Sequence, residues 1–244
     1  MDKDDAIIKP VKGKNAPDLG AVAVVVSVEA DLLYLCKIMD LTADNSRSLY
    51  MSRLYFENKS DYPCISVTGP ILGAPYAVML LESLIAWGAE KIIFMGWCGA
   101  ISKKVGTADI VLASSAIADE GTSKHYFQNE NIARPSVDIM EKTKNILKEN
   151  DLSYHEGIIW TTDAIYRETP EKVKYYQEKN VLGVEMELSA LFTVGRFRGV
   201  DVGGILVVSD ELSALKWRPG FREKRFHQSR IDVLKAVKKL CKIL

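Results

Sequence analysis

Residues 183–187 read Gly-Val-Glu-Met-Glu, and residues 204–210 read Gly-Ile-Leu-Val-Val-Ser-Asp. In the first stretch, two acids follow an apolar run at the point where a strand is expected to turn into a helix. In the second stretch, a uniformly apolar strand ends in an acid. Because α/β sheets build their sites at the carboxyl ends of parallel strands, these stretches predict an α/β fold with an acidic site at one edge of the sheet.

Apolar runs alternate with helical patterns along the rest of the chain. Continuous Val/Ile runs are typical of parallel strands that helices cover on both faces. We expect one domain over residues 20–244 and a flexible polar arm over residues 1–19. The predicted strands span residues 21–28, 64–68, 91–97, 109–114, 157–161, 181–184 and 202–209, and the predicted helices span residues 29–39, 74–87, 136–149, 170–179, 187–198 and 222–242.

The composition argues against several classes of partner. Basic and acidic residues number 32 each, so no net charge attracts nucleic acid or an acidic membrane. The longest apolar run, residues 21–28, is too short to span a bilayer. The charged N-terminus lacks the apolar core of a signal peptide, which favours a cytoplasmic location. The four cysteines and three histidines are scattered, which predicts reduced thiols and no metal site.

Two glycine-containing junctions follow predicted strands. Residues 96–100 read Gly-Trp-Cys-Gly-Ala, and residues 69–75 read Gly-Pro-Ile-Leu-Gly-Ala-Pro. Glycines at such junctions let a ligand approach the backbone, although a tight turn explains either junction nearly as well. Neither junction matches the dinucleotide-binding fingerprint or the P-loop, so NAD and ATP are not indicated.

Each acidic motif has both a structural and a functional interpretation. Glu185 and Glu187 suit the positive end of a helix dipole, and Ser209 with Asp210 suits a helix N-cap. The apolar residues around these acids favour burial, and unpaired acids are rarely buried without a function. A carboxylate in such a place can accept hydrogen bonds from the diol of a ribose, and a second can deliver a proton to a leaving base.

The order of these motifs resembles that of the nucleoside phosphorylase superfamily, which includes purine nucleoside and uridine phosphorylases and the methylthioadenosine/adenosylhomocysteine nucleosidases. The resemblance covers about residues 20–240, and Val-Glu-Met-Glu at residues 184–187 is its most specific motif. It implies a three-layer α/β/α fold with a mixed central sheet, an enzyme that cleaves nucleosides without a cofactor, and homodimers that often assemble into hexamers. A non-catalytic nucleoside-binding relative and a uridine-type phosphorylase are the alternatives.

The chain departs from the phosphorylases where phosphate would bind. Residues 26–31, Val-Ser-Val-Glu-Ala-Asp, stand in place of their Gly-Asp-Pro-x-Arg loop, Phe94 stands in place of an Arg, and Trp97 in place of a hydroxyl residue. A phosphate would therefore lose its strongest hydrogen bonds. Arg47 or Arg53 from a neighbouring subunit could replace them, but each is equally well explained as a solvated surface charge.

Asp31 is the candidate for activating water instead. It aligns with the water-activating Glu of the nucleosidases, although its side chain is one methylene shorter. An acid in the first turn of a helix is the alternative interpretation. Water is therefore the preferred nucleophile, and phosphate as co-substrate is the alternative.

The base pocket is less sharply defined. The family's stacking Phe falls at Ile165, and Trp97 and Trp160 offer larger faces that compensate. Arg167 either contacts a base oxygen or is exposed. An acid at position 210, where the pyrimidine-specific members usually lack one, favours a purine.

The resemblance also assigns roles residue by residue. Glu187 would bind the ribose 2′ and 3′ hydroxyls, Met186 would pack under the sugar, and Asp210 would protonate or hydrogen-bond a purine nitrogen. The loop with His125 and Tyr126 would reach the sugar site of a partner subunit, or is an ordinary surface loop. The predicted catalytic residues are Asp210, Asp31 and Glu187, and the predicted substrate-binding residues are Gly96, Trp97, Trp160, Ile165, Arg167, Glu185, Met186, Ser209, His125 and Tyr126.

Overall fold

A computed structural model describes residues 6–14, 16–17, 19–57 and 65–244. Strands and helices alternate along most of this length. The strands are β1 (Val22–Val26), β2 (Ser46–Leu49), β3 (Ser52–Phe56), β4 (Ile65–Gly69), β5 (Lys91–Ala100), β6 (Ile110–Asp119), β7 (Ile132–Ala133), β8 (Tyr154–Thr162), β9 (Val181–Glu185), β10 (Asp201–Glu211) and β11 (Arg218–Pro219). The helices are α1 (Glu29–Ile38), α2 (Ala74–Ala86), α3 (Val137–Glu149), α4 (Pro170–Glu178), α5 (Leu188–Arg198) and α6 (Lys224–Cys241).

The strands form one mixed sheet. Its order is β11-β10-β6-β8-β9-β5-β1-β4-β3-β2, and β10 also pairs with β5. Five pairs are parallel: β1–β4, β1–β5, β5–β10, β6–β8 and β8–β9. The other pairs, β2–β3, β3–β4, β5–β9, β6–β7, β6–β10 and β10–β11, are antiparallel. Five strands therefore close into a ring. The mixed sheet implied by the resemblance is confirmed, and the largely parallel sheet favoured by the apolar runs alone is wrong.

Helices cover the sheet on both faces, which gives three layers. Strand β1 shows why its sequence is apolar throughout. Ala23 and Val25 point into the core that α2 and α5 share with the sheet. Val22, Val24 and Val26 point into the core on the other face, under α1 and α6. Because both faces are buried, successive side chains are all apolar despite the period of two.

The predicted elements lie within a few residues of observed ones, but the two-residue strands β7 and β11 were not predicted, and two larger differences remain. The hairpin formed by β2 and β3 has no counterpart in the prediction, because both strands are short and begin with Ser-Arg, so neither forms a long apolar run. Strand β5 continues through residues 97–100, so the glycines there lie within a strand rather than in a turn. No helix of the described residues is long and apolar enough to cross a membrane.

Parts of two predictions lie outside the described residues. These are residues 1–5, 15 and 18 of the predicted arm, and Cys64 at the start of a predicted strand. The flexible arm and the single domain stay predictions. Cys36, Cys98 and Cys241 are free thiols in the core.

Candidate functional site

A cavity of about 600 Å³ opens where β5, β9 and β10 end. Its size falls within the range of small-molecule sites. Gly99 on β5 pairs with Val184 of β9 on one side and with Asp210 of β10 on the other. The register between β10 and β5 shifts at Ser209, and such a bulge re-aims side chains beside a site. Tertiary pairing thus brings the two acidic stretches of the sequence to one cavity.

Side chains from β9 and β10 and the residue after β10 approach Gly99 closely. A Cβ atom at this position would lie 2.7 Å from the Leu212 side chain and 3.3 Å from Oδ2 of Asp210. The absence of a side chain leaves the floor of the cavity open between the two acidic segments.

Glu185 lies in the cavity wall and caps helix α5. Its Oε2 accepts hydrogen bonds of 2.8 Å from the backbone N–H groups of Glu187 and Leu188, and its Oε1 accepts one from the Thr161 hydroxyl. Burial and the nearby Glu187 raise the pKa of this carboxyl. Several donors already hold Glu185, so its main contribution is to fix the start of α5.

Glu187 reaches toward a second helix terminus. The backbone N–H of Gly73, at the start of α2, donates a 2.6 Å hydrogen bond to its Oε1. Gly73 has a φ of 83°, a conformation that favours glycine. Burial raises the pKa of Glu187, while the Gly73 N–H opposes this shift by stabilising the charged form. Met186 lines the same cavity between the two acids.

Asp210 is held in place by two donors. The Ser209 hydroxyl donates to Oδ1 at 2.6 Å, and the indole N–H of Trp217 donates to Oδ2 at 2.9 Å. Trp217 arrives from the segment between β10 and β11, which folds back over the cavity. The side chain of Asp210 therefore has a fixed orientation.

Glu168 is a fourth acid in the lining, and the sequence analysis missed it. Burial, together with the charge of Asp210, raises the pKa of its carboxyl to about 7. Its only signal in the sequence is its position just before Thr169 and Pro170, which begin α4. That signal marks a helix start rather than a site.

Aromatic and apolar side chains form the outer wall. Ile165 and Tyr166 line it from one short helical turn, Ile165–Arg167. On the other side, the ring of Phe221 lies 6.1 Å from that of Trp97 and 6.3 Å from that of Trp217. These flat faces suit a planar ring system. Trp217 and Phe221 were not predicted, because nothing in the sequence places their segment over the cavity.

The structure does not support the predicted role of Asp31 as a base. Asp31 is 1 % exposed and lies outside the cavity lining. The Arg230 guanidinium donates to Oδ1 through Nε at 2.9 Å and Nη2 at 2.5 Å, and the indole N–H of Trp97 donates to Oδ2 at 2.7 Å. The carboxylate is thus neutralised by a cation and enclosed beneath Trp97, so it has no oxygen directed at a substrate.

Three predicted binding residues also lie elsewhere. Trp160 is fully buried on the other side of β8, where its ring stacks on Tyr176 with centroids 4.3 Å apart. Arg167 is exposed to solvent. Gly96 packs against the Phe94 ring behind the cavity. None of the three lines the cavity.

The loop with His125 and Tyr126 does not reach the cavity of its own chain. The Tyr126 hydroxyl donates a 3.0 Å hydrogen bond to Glu82, and its ring packs against Phe197. The predicted contact with a partner subunit stays a prediction. Within the described ranges, no three His, Cys, Asp or Glu side chains cluster as metal ligands.

Comparisons with known proteins agree on one family. The model of the phosphorylase superfamily matches residues 21–244. Guanosine phosphorylase from Halorubrum lacusprofundi is 31% identical over 180 residues, which cover 74% of this chain and 73% of that protein. A DeoD-type purine nucleoside phosphorylase from Clostridium novyi is 35% identical over 153 residues, 61% of this chain and 64% of that protein. The structure of purine nucleoside phosphorylase from Toxoplasma gondii superposes with a TM-score of 0.80 at 20% identity, covering 93% of this chain and 92% of that one.

Proposed function

Since this chain belongs to the phosphorylase superfamily, as its motifs predicted, we propose that it cleaves the N-glycosidic bond of a purine nucleoside. It is an enzyme of the nucleoside phosphorylase and nucleosidase group. One observation carries the proposal: Glu187, Met186 and Asp210 line the same cavity although they come from two separate strand ends.

The sugar end of the substrate is assigned to Glu187 and Met186. The Gly73 N–H fixes one oxygen of the Glu187 carboxylate, so the group is oriented before a ligand arrives. A carboxylate accepts hydrogen bonds from two neighbouring hydroxyls, which is the geometry of a ribose diol. The Met186 thioether supplies an apolar, adaptable surface beside the ring.

The base end is assigned to the aromatic wall and Asp210. Trp97, Tyr166 and Phe221 offer faces for a planar base. Asp210, oriented by Trp217, contacts a ring nitrogen of the base. We propose a purine because an acid is present at this position and because the relatives named above act on purine nucleosides and guanosine.

For the nucleophile we propose water. In the described part of the chain, the lining carries the acids Glu168, Glu185, Glu187 and Asp210 and no Lys, Arg or His. A phosphate bound among four carboxyl groups without a cation would be poorly compensated. Water, unlike phosphate, carries no charge that a cation must compensate. It needs only an acceptor for the proton that it loses on attack.

Phosphate would need cations from outside this lining. Arg53 borders a smaller cavity beside the hairpin of β2 and β3, and Arg47 lies on the same hairpin. In an oligomer these side chains are the candidates for completing a partner's site, as the sequence analysis proposed.

Three further proposals concern the whole protein. First, we propose that the reaction needs no cofactor, with phosphate as the possible co-substrate. Second, we propose that the protein is cytoplasmic. Third, we propose that it forms a homodimer or hexamer. Full activity after treatment with a chelator and dialysis would support the first. Fractionation of the source cells tests the second, and sedimentation velocity of the active protein tests the third.

A nucleoside panel tests the function directly. Inosine, guanosine, adenosine, 5′-methylthioadenosine and uridine are incubated with the enzyme in phosphate-free buffer and again with phosphate, and the sugar product is identified. We expect free ribose from a purine nucleoside and little stimulation by phosphate. Strict phosphate dependence with ribose 1-phosphate as product would overturn the hydrolytic proposal. Cleavage of uridine alone would overturn the purine assignment.

A further inference from the structure

Glu168 occupies a fixed position at the base end of the cavity. It follows the helical turn Ile165–Arg167 and precedes Thr169, whose hydroxyl accepts the Lys172 N–H at the start of α4. Two short helical segments therefore hold the backbone on either side. Its side chain lines the cavity together with Ile165 and Tyr166, whereas Arg167 is exposed to solvent.

The four carboxyl groups of the lining differ in their hydrogen bonds. Glu185 accepts three, and Glu187 accepts one from Gly73. Both oxygens of Asp210 accept hydrogen bonds, from Ser209 and from Trp217. Across residues 6–14, 16–17, 19–57 and 65–244, the Glu168 carboxyl has no hydrogen bond or ion pair with another side chain or with the backbone. Among the four, Glu168 is thus the acid with both carboxyl oxygens left for a ligand, whereas Glu187 has one oxygen already engaged.

Burial and the nearby charge of Asp210 favour the neutral form of Glu168. Asp210 on β10 and the pair Glu185 and Glu187 before α5 share the lining with it, and no cation of the described chain faces it there. Burial, with the charge of Asp210, raises its pKa to about 7, so near neutral pH a large fraction of Glu168 carries a proton. The buried Cys98 thiol is the remaining titratable group of the floor, and burial raises its pKa well above the ordinary value.

We propose that Glu168 is the acid that protonates the purine as its bond to the sugar breaks, while Asp210 acts as a hydrogen-bond acceptor that orients the base. This inference rests on the proposed nucleoside cleavage.

In the step, the C1′–N9 bond breaks and its electron pair goes to the base. The Glu168 O–H gives its proton to a ring nitrogen of the departing purine, and the nucleophile, water or phosphate, bonds to C1′. When water attacks, the proton that it loses passes to solvent. Glu168 regains a proton from solvent before the next turnover. A carboxylic acid that its environment keeps protonated near neutral pH is a common proton donor in catalysis.

Methylation of the substrate separates proton donation from binding. A purine nucleoside that is methylated at N7 carries a positive charge on the base, which leaves without protonation. We therefore compare the best purine nucleoside of the panel with its N7-methyl form. Glu168→Gln keeps the shape and hydrogen-bonding capacity of the side chain but has no titratable proton, and Glu171→Gln, an exposed change three residues away, is the matched control.

We expect Glu168→Gln to lower kcat/KM for the unmodified nucleoside by about 100-fold, since general acid catalysis is typically worth that factor or more. The rate with the methylated nucleoside should stay close to that of the wild type. The wild-type pH profile should fall above a pKa near 7, and this limb should disappear in Glu168→Gln. Glu168→Asp retains a proton and should retain the limb at a lower rate. Glu171→Gln should change neither rate nor profile.

Four outcomes would contradict the inference. An equal loss on both nucleosides would mean that Glu168 only shapes the pocket. An unchanged rate, or an alkaline limb that persists in Glu168→Gln, would mean that another group donates the proton. If the wild type cleaved no nucleoside with or without phosphate, the proposed function would fall, and the inference with it.

Discussion

Replacing Asp31 with Asn distinguishes a structural acid from a catalytic one. In the structure, Asp31 and Arg230 form a buried ion pair that joins α1 to α6, with side chains 1 % and 11 % exposed. The indole N–H of Trp97 completes the group, and the guanidinium also lies over the Trp97 ring, 4.7 Å from its centroid. Asn would leave the Arg230 charge unpaired and would turn an N–H donor toward Arg230 or Trp97.

The expected loss of stability is large. Removing one partner of a buried ion pair costs about 3–5 kcal/mol, because the other charge stays buried without compensation. That is a substantial part of the roughly 5–15 kcal/mol that stabilises a typical protein. For a chain of this size, about 2–4 °C of melting temperature corresponds to each kcal/mol, so Asp31→Asn should melt about 6–20 °C lower than the wild type.

Denaturant unfolding and a double-mutant cycle measure this effect. Arg230→Met alone should also be destabilising, because it leaves the Asp31 carboxylate unpaired. The double variant Asp31→Leu with Arg230→Met should recover much of the loss, since apolar residues often replace a buried ion pair with little cost. Well below the melting temperature, Asp31→Asn should keep most of the glycosidic cleavage activity.

The opposite pattern would refute the structural interpretation. If Asp31→Asn unfolded like the wild type but lost nearly all cleavage activity, Asp31 would be the base that the sequence predicted. The ion pair with Arg230 would then have to open during turnover.

Three further predictions concern the cavity. Glu187→Gln should reduce the preference for ribose over 2′-deoxyribose by about 1.5–3 kcal/mol, the value of a hydrogen bond to a charged group. The ratio of kcat/KM for the two nucleosides measures this preference. An unchanged ratio would exclude a contact with the diol. Trp217→Phe keeps a ring beside Phe221 but removes the N–H donor to Asp210. Because Trp217 is exposed, kcat/KM should fall by about tenfold or less. A larger loss would mean that Trp217 itself contacts the substrate. Because burial raises the folded-state pKa of Glu168 from an ordinary 4.5 to about 7, folding binds protons between these values and stability falls as pH rises through them. Glu168→Gln removes this loss of stability at high pH. Its melting temperature should therefore exceed that of the wild type above pH 7 and match it below pH 4.5. An equal gain in both pH ranges would show that titration of Glu168 is not the cause.

The sequence alone determined most of the scaffold and the two main acids. Most helices and strands lie within a few residues of their predicted bounds, because both faces of this sheet are covered and strands such as β1 are continuous apolar runs. Glu187 and Asp210 were predicted at the site because acids that end apolar strands stand out against their neighbours. Local pattern is sufficient for features of this kind.

Tertiary structure decided which side chains face the cavity and which are already engaged. Trp160 and Trp97 look equivalent in the sequence, but the fold buries Trp160 against Tyr176 and places Trp97 at the cavity. Asp31 forms an ion pair with Arg230, which lies 199 residues later in the sequence. Glu168 lines the cavity only in the folded chain, where burial and the charge of Asp210 on β10 raise the pKa of its carboxyl. The partner of a charge and the face of a strand depend on contacts between distant segments, and these exist only once the chain has folded.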